Sequence, residues 1–247
     1  MSTRESIFVF RKIKSDFYIV NGKAIKSKDT MTDIEQLQKE YIYALVAGKH
    51  FSDAVTSSGV KRLMWKAGVS RLPNDTVAEI RLHMANELNK VAKRLLVLHE
   101  YQDRSTITPE QLRLVLKLDG YVLAASSAKT GRSPNTTATK DGKKKTTRAK
   151  QGRVARRNVR LYQKTTELLL RVSPFDRLVR HMAGSQDDDD KKLRFSQNVV
   201  RLIQLHIETY VVKLLKAGSL VAKVARVQGV KPVHIRAALE VSDVLDH

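Results

Sequence analysis

Lysine and arginine are the most numerous side chains of this sequence that could carry a chemical function. The chain carries 46 of them against 25 Asp and Glu, which gives a formal net charge of +21. This excess favours a polyanionic partner, either nucleic acid or an acidic membrane surface. Aromatic residues form only 6% of the chain, a poor supply for a protein that stacks single-stranded bases. The expected chemistry is therefore ionic contact with a polyanion.

The residues that usually build catalytic or metal sites are absent or scattered. There is no cysteine, so disulfides, thiolate zinc sites and cysteine nucleophiles are excluded. The seven histidines lack metal-ligand spacing, and no Gly-rich phosphate motif or Ser-His-Asp arrangement is evident. The acid run from Asp187 to Asp190 has no spaced partners, and we interpret it as a solvated loop. We therefore expect no enzymatic activity, no catalytic residue, no metal and no cofactor.

No segment of the sequence is expected to enter a membrane. The apolar stretch of residues 7–10 is too short for the core of a signal peptide, and charge follows at once. No run of about 18 apolar residues occurs. The absence of cysteine suits a reducing compartment.

Two stretches of helical periodicity are related by a fixed offset of 123 residues, which takes Arg71 to Arg194 and Pro109 to Pro232. Each has residues spaced by three or four positions, all apolar in the first stretch and six of seven apolar in the second, a pattern typical of one face of an amphipathic helix. The row of apolar residues, which we call the ridge, repeats together with the arginine before it and the proline after it. We therefore interpret the two stretches as a tandem duplication. The first ridge is Val77, Ile80, Met84, Leu88, Val91, Leu95 and Leu98, and the second is Val200, Ile203, Ile207, Val211, Leu214, Gly218 and Val221.

Each unit is predicted to be a short helix, a long helix and a short helix joined by loops. The long helices are expected over residues 75–101 and 198–222, each roughly 40 Å long at about 1.5 Å per residue. The two prolines then stand in the first turn of the last helices, and Thr108 is a suitable N-cap. Two short helices cannot cover so long a ridge, so we expect the long helices to pack across each other. Periodicity alone leaves a generic helical bundle as the alternative.

The first 58 residues differ from the two units. Asn21-Gly22 after a short apolar run predicts a hairpin. Thr32 with Glu35 forms a capping box, which predicts a helix that ends at Gly48. The sequence indicates no function for this extension.

A basic segment separates the two units. Residues 126–160 contain twelve Lys or Arg, one acid (Asp141) and no aromatic residue. Such a segment cannot bury enough surface to fold, so we predict an unfolded linker.

Two stretches resemble core histones. Residues 161–171 (LYQKTTELLLR), continued by 174–180 (PFDRLVR) and 193–195 (LRF), resemble histone H-three. Residues 59–63 (GVKRL), 68–72 (GVSRL) and 106–108 (TIT) are similar to histone H-four. The order H-four then H-three in one chain looks like the histone doublets of certain large DNA viruses.

The resemblance implies an all-α fold of two tandem histone folds, paired intramolecularly as a handshake pseudo-dimer, with a small N-terminal appendage. The implied domains are an N-terminal extension over 1–58, an H-four-like fold over 59–125, a basic flexible linker over 126–154 and an H-three-like fold over 155–247.

The resemblance also implies sequence-independent binding of double-stranded DNA. Arg71 and Arg194 are expected to enter the minor groove, because a narrow groove concentrates negative potential and a guanidinium is weakly hydrated. The loop after the first long helix and basic residues on several helices are expected to meet phosphates. The full set of expected DNA contacts is Arg71, Arg194, Arg104, Thr106, Thr108, Lys61, Arg62, Arg157, Arg160, Lys164, Arg171, Arg177 and Arg180.

Partners follow from the same resemblance. Two such pairs are expected to meet through their H-three halves, at Leu220, Val221, Val224 and His234. A peripheral histone pair, itself expected to be a fused doublet, completes a nucleosome-like particle. His234 and Val224 replace an acid and a polar residue of the family, so this contact is expected to be more apolar or weaker. The expected location is chromatin in a host nucleus or viral replication factory, and the virion.

The loop of residues 226–230 departs from the family pattern. It lacks the basic and hydroxyl residues that the family uses there, so this end is expected to grip DNA weakly. Two functions remain open: a structural chromatin protein, or a histone-fold scaffold subunit of a transcription-factor complex in which DNA contact is minor. The paired loop arginines and the basic linker favour the first.

Overall fold

The computed structural model describes residues 11–14, 17–20, 23–26, 31–100, 106–118, 152–184 and 194–245. Within these ranges, no helix has the length and apolar content that a bilayer crossing requires. We call residues 57–118 the first half and residues 153–245 the second half. The elements are β1 (Arg11–Lys14), β2 (Phe17–Val20), β3 (Lys23–Lys26), α1 (Met31–Ala47), α2 (Lys49–Ala54), α3 (Ser57–Ala67), α4 (Asn74–Glu100), β4 (Thr106–Ile107), α5 (Pro109–Leu118), α6 (Arg153–Lys164), α7 (Val172–Gly184), β5 (Arg194–Phe195), α8 (Gln197–Val224) and α9 (Pro232–Leu245).

The long helices α4 and α8 lie within two residues of their predicted bounds. α8 begins after Ser196, whose hydroxyl accepts the N–H of Val199 at 3.4 Å, as an N-cap does. α5 begins at Pro109 after a reciprocal cap. Its expected N-cap Thr108 accepts the N–H of Gln111 at 3.4 Å, and the Gln111 side chain accepts the N–H of Thr108 at 2.7 Å.

The two halves contribute to one hydrophobic core. The long helices contact each other, α3 and α5 pack against α8, and α9 packs against α4. Ile80 and Met84 of α4 and Ile203 and Ile207 of α8 belong to the same buried cluster, each at most 2% exposed. Burial of each such side chain contributes about 1.5–3 kcal/mol. Each long helix therefore packs against helices of both halves.

Polar contacts also join the halves, and three of them start on α4. The hydroxyl of Thr76 donates to the carbonyl of Val230 at 2.8 Å. The guanidinium of Arg236 donates to both carboxylate oxygens of Glu79 at 2.8 and 3.1 Å. Glu87 and His206 form a buried hydrogen bond of 2.9 Å at the place where the long helices meet. These contacts fix the register of α4 against the second half.

The N-terminal extension contains a small sheet followed by two helices. β2 and β3 pair antiparallel with Val20 opposite Lys23, which confirms the predicted hairpin, and β1 adds a third strand that the sequence did not predict. α1 packs against α4, and α2 packs against α7. The predicted capping box is wrong: α1 begins at Met31, so Thr32 lies inside the helix, whereas an N-cap residue has a non-helical backbone.

The predicted unfolded stretch of residues 126–160 is wrong in its last part. Residues 119–151 lie outside the described ranges, but α6 begins at Arg153. α6 packs against α3, and its buried Tyr162 stacks on Trp65 with ring centroids 5.4 Å apart. A short helix of this basic composition is stabilised here by its packing against α3 rather than by its own helix propensity.

Candidate nucleic-acid interface

Arg194 lies on a two-stranded bridge between the halves, which we call the β platform. β5 pairs parallel with β4, so that Arg194 stands opposite Thr106 and Phe195 opposite Ile107. Successive side chains of a strand point to opposite faces. Phe195 and Ile107 are accordingly buried, whereas Arg194 and Thr106 are exposed. The bridge thus presents a guanidinium and a hydroxyl side by side to solvent.

Two other residues, Thr108 and Arg104, were also predicted to contact DNA at this end. Thr108 is half-buried, and its hydroxyl and N–H both serve the cap of α5. Its role in the structure is therefore capping, although the cap leaves its hydroxyl hydrogen able to donate. Arg104 lies outside the described residues.

Arg71 lies at the opposite end, beside the loop of residues 226–230; we call this the loop platform. A Cβ built on Gly229 would lie 3.7 Å from the Cβ of Arg71, and the bond from Thr76 to Val230 holds the same two loops together. Gly229 has φ 103°, a conformation that favours glycine. Arg71 is exposed. Each predicted minor-groove arginine thus lies next to a loop that the other half supplies.

Arg226 is an exposed cation at the loop platform that is not among the expected DNA contacts. Its φ is 54°, the left-handed conformation in which helices commonly end on glycine. The N–H of Arg226 donates to the carbonyl of Lys223, and the N–H of Val227 donates to that of Ala222, both at 3.0 Å. These two bonds close α8 and hold Arg226 in place. The expectation that this loop lacks the basic and hydroxyl residues of the family pattern, and so grips DNA weakly, stays a prediction.

A third surface, which we call the middle platform, forms where the first turn of α3 meets the turn before α7. The Thr56 hydroxyl accepts the N–H of Gly59 at 3.2 Å and caps α3. A Cβ on Gly59 would lie only 2.9 Å from Cδ2 of Leu170, so the two turns touch. The exposed Arg171 follows Leu170. The predicted contacts Lys61, exposed, and Arg62, half-buried, stand on the first two turns of α3.

α6 presents a row of exposed cations. Arg157, Arg160 and Lys164 were predicted, whereas the exposed Arg153 and Arg156 of the same helix were not. A cleft of about 570 Å³ joins α6 to the loop platform, and Arg71, Trp65, Val154 and Gln228 are among its lining residues. The cationic helix therefore extends the surface around Arg71.

The two predicted arginines of α7 differ in their surroundings. Arg177 is exposed. Arg180 pairs with Asp176 one turn earlier, with Nε 3.0 Å from Oδ2. This ion pair neutralises part of the charge that Arg180 was expected to offer to DNA.

The predicted self-association residues divide into two groups. Leu220 and Val224 are 61% and 86% exposed at the end of α8, and Val221 is half-buried. His234 is buried, and its Nδ1 accepts the N–H of Lys231 at 3.1 Å in the first turn of α9. Val233 and Val241 of the following helix, α9, are also exposed. The apolar surface therefore consists of leucine and valine, while His234 shapes the helix start.

Among the described residues, no group of three or more His, Asp or Glu side chains could hold a metal ion. The exposed arginines, lysines and helix starts of the platforms can contact an extended polyanion.

The comparison with known families concerns the second half. Residues 151–241 match the family model of the core histone domain, a single model that describes all four types of core histone. This range runs from the residue before Gly152 to the middle of α9 and includes Arg194 and the β5 strand. The segment that is similar to the core histone domain thus carries one strand of the β platform, the loop of residues 226–230 and the turn before α7.

Proposed function

We propose that this chain packages double-stranded DNA without sequence preference, as the central histone pair of a nucleosome-like particle. One observation carries the proposal. Exposed Arg71 and Arg194 occupy separate ends of one core, each beside a loop of the opposite half. A core histone domain in the second half is consistent with a DNA-associated function.

The proposed pairing treats both halves as histone folds joined in a handshake. The halves repeat at an offset of 123 residues, which takes Arg71 to Arg194. The long helices share one core, α3 and α5 of the first half pack against α8, and α9 of the second half packs against α4. These features support an intramolecular pseudo-dimer in which the segment of residues 119–151 connects the partners.

DNA would be bound through its backbone and its shape. Arginines at the two end platforms would enter the minor groove, and the middle platform and α6 would neutralise phosphates. Histone octamers are the known example of binding of this kind. Each phosphate that the protein neutralises adds about 0.9 to the slope of log affinity against log salt. The net charge of +21 is consistent with a steep slope.

The assembly that we propose contains a second copy of the chain and a peripheral histone pair. The surface around Leu220 and Val224 is consistent with the contact between copies. The order of the two resemblances supports a fused viral doublet, with a location in host chromatin or a viral factory and in the virion. A scaffold subunit of a transcription-factor complex is the competing function, and it would use the same apolar surface while needing no loop arginines. We propose no catalytic role.

Reconstitution on DNA of arbitrary sequence tests the proposal. We expect the chain, together with a peripheral histone pair, to protect DNA fragments from nuclease. Arg71→Ala combined with Arg194→Ala should weaken DNA binding at least tenfold and remove the protected fragments. A change of this size corresponds to about 1.4 kcal/mol.

The matched control removes two positive charges elsewhere. Lys90→Ala with Lys216→Ala changes one exposed residue on each long helix and should leave protection intact. Wild-type affinity in the double arginine variant would favour the scaffold function. Absence of protection by the wild-type chain would contradict the packaging proposal.

A further inference from the structure

Two side chains of α8 hold the turn that leads into α7. Oε1 of Glu208 accepts the N–H groups of Leu169 and Leu170 at 2.9 and 2.8 Å, and Oε2 accepts that of Leu169 at 2.9 Å. Gln204 donates its side-chain amide to the carbonyl of Leu170 at 3.1 Å and to Glu208 at 3.0 Å. Both side chains are buried. Two N–H groups and one carbonyl of the turn are thereby bonded to α8.

This turn ends at an exposed cation. The side chains of Leu168, Leu169 and Leu170 are buried, whereas Arg171 is exposed. The carbonyl of Arg171 accepts the N–H of Phe175 at 3.2 Å, the first bond of α7. The geometry of the turn therefore decides where Arg171 and the first turn of α7 point.

Placing a carboxylate under the turn costs free energy, because a buried charge loses its hydration. Burial raises the pKa of Glu208, and hydrogen bonds from Leu170, Gln204 and Leu169 oppose that rise. Apolar burial already anchors the three leucines. Apolar contacts are not directional, whereas the hydrogen bonds to Glu208 fix the orientation of the backbone of the turn.

The first half has a related tether at the corresponding place. The counterpart of Gln204 at the offset of 123 residues is Arg81. Arg81 donates to the hydroxyl of Ser52 at 3.2 Å and lies 5.6 Å above the ring of Phe51. Both partners belong to α2, which leads into α3. Each long helix thus holds the segment that precedes a short helix of the middle platform.

We propose that Glu208, together with Gln204, is a positioning residue that aims Arg171 and the first turn of α7 at a DNA phosphate. The inference rests on the proposed DNA-packaging function and adds a buried determinant of its middle platform.

The test measures the affinity of the full chain for a mixed-sequence duplex over a range of salt concentrations. Glu208→Leu leaves two N–H groups without their acceptor and should lower the salt slope by about 0.9, the loss of one phosphate contact. Arg171→Ala should lower it equally. The double variant should lose no more than either single one, because Glu208 acts through Arg171. Glu208→Gln keeps a carbonyl oxygen for both N–H groups and should restore the wild-type slope.

Loss of stability needs its own control. Val211→Ala alters a buried residue three positions further along α8 and should lower the melting temperature without changing the slope. If Glu208→Leu does not fold, Gln204→Leu takes its place with the same expectation. Three outcomes overturn the inference. The salt slope of Glu208→Leu, or of its substitute, equals that of the wild type. Alternatively, the losses of slope add in the double variant with Arg171→Ala, or Val211→Ala lowers the slope by the same amount. A shallow slope for the wild-type chain overturns the proposed function instead.

Discussion

At the scale of single residues, side-chain contacts between residues far apart in sequence hold the two halves together. Glu79 and Arg236 are 157 residues apart, and Glu87 and His206 are 119 apart. The hydrogen bond from Arg236 holds the pKa of Glu79 below its usual value of 4.5. Arg236 is 61% exposed, so solvent screens the pair and its contribution to stability is modest.

The Glu79–Arg236 pair predicts a pH dependence. Because the pKa of Glu79 is lower in the folded chain, its contribution to stability is present above about pH 4.5 and is lost as pH falls through the folded-state pKa. Glu79→Gln should therefore be less stable than wild type at pH 7, and the difference should shrink towards pH 3. Urea unfolding at a series of pH values measures it, with the exposed Glu240→Gln as the control for charge. A difference that is constant across this range contradicts the prediction.

The candidate functional residues show which features a sequence reveals. Arg71 and Arg194 could be named as candidates because a repeated pattern and a family resemblance mark them. Arg226 could not, because its left-handed backbone occupies a site where glycine is the usual signal. Glu208 gave no signal either, since its partners are backbone groups 38 and 39 residues away.

At the scale of elements, amphipathic helices were predictable and α6 was not. The ridges of α4 and α8 bury apolar residues at a regular period, so their bounds were predicted to within two residues. α6 is strongly basic, and composition alone places it with the linker. Its packing against α3 includes the stack of Tyr162 on Trp65, a contact between residues of different halves.

The stack of Trp65 on Tyr162 predicts the stability of α6. Trp65→Ala should release the helix and increase amide exchange over residues 153–164. A double-mutant cycle with Tyr162→Ala should give a coupling energy of about 1 kcal/mol, typical of an aromatic pair. Trp65→Phe keeps a ring and should retain most of the protection. Unchanged exchange in Trp65→Ala would show that other contacts hold α6.

At the scale of the whole molecule, one core serves both halves, and an exposed apolar side chain lies near the end of each long helix. Val97 near the end of α4 and Leu220 near the end of α8 correspond at the offset of 123 residues. They are 55% and 61% exposed. Apolar side chains grouped at an exposed helix end commonly mark sites of association. In the assembly that we propose, each of the two ends takes a different partner.

The end of the second half is the one that we expect to join two copies. Leu220→Asp with Val224→Asp places charges where the side chains are exposed in a single chain, so folding should be retained. Burying two carboxylates in a contact between copies is costly, and this variant should sediment as a monomer at concentrations where the wild-type chain forms a dimer. Val97→Asp is the matched control at the other end and should leave the dimer intact. A dimer that survives the double change but dissociates with Val97→Asp would assign self-association to the first half.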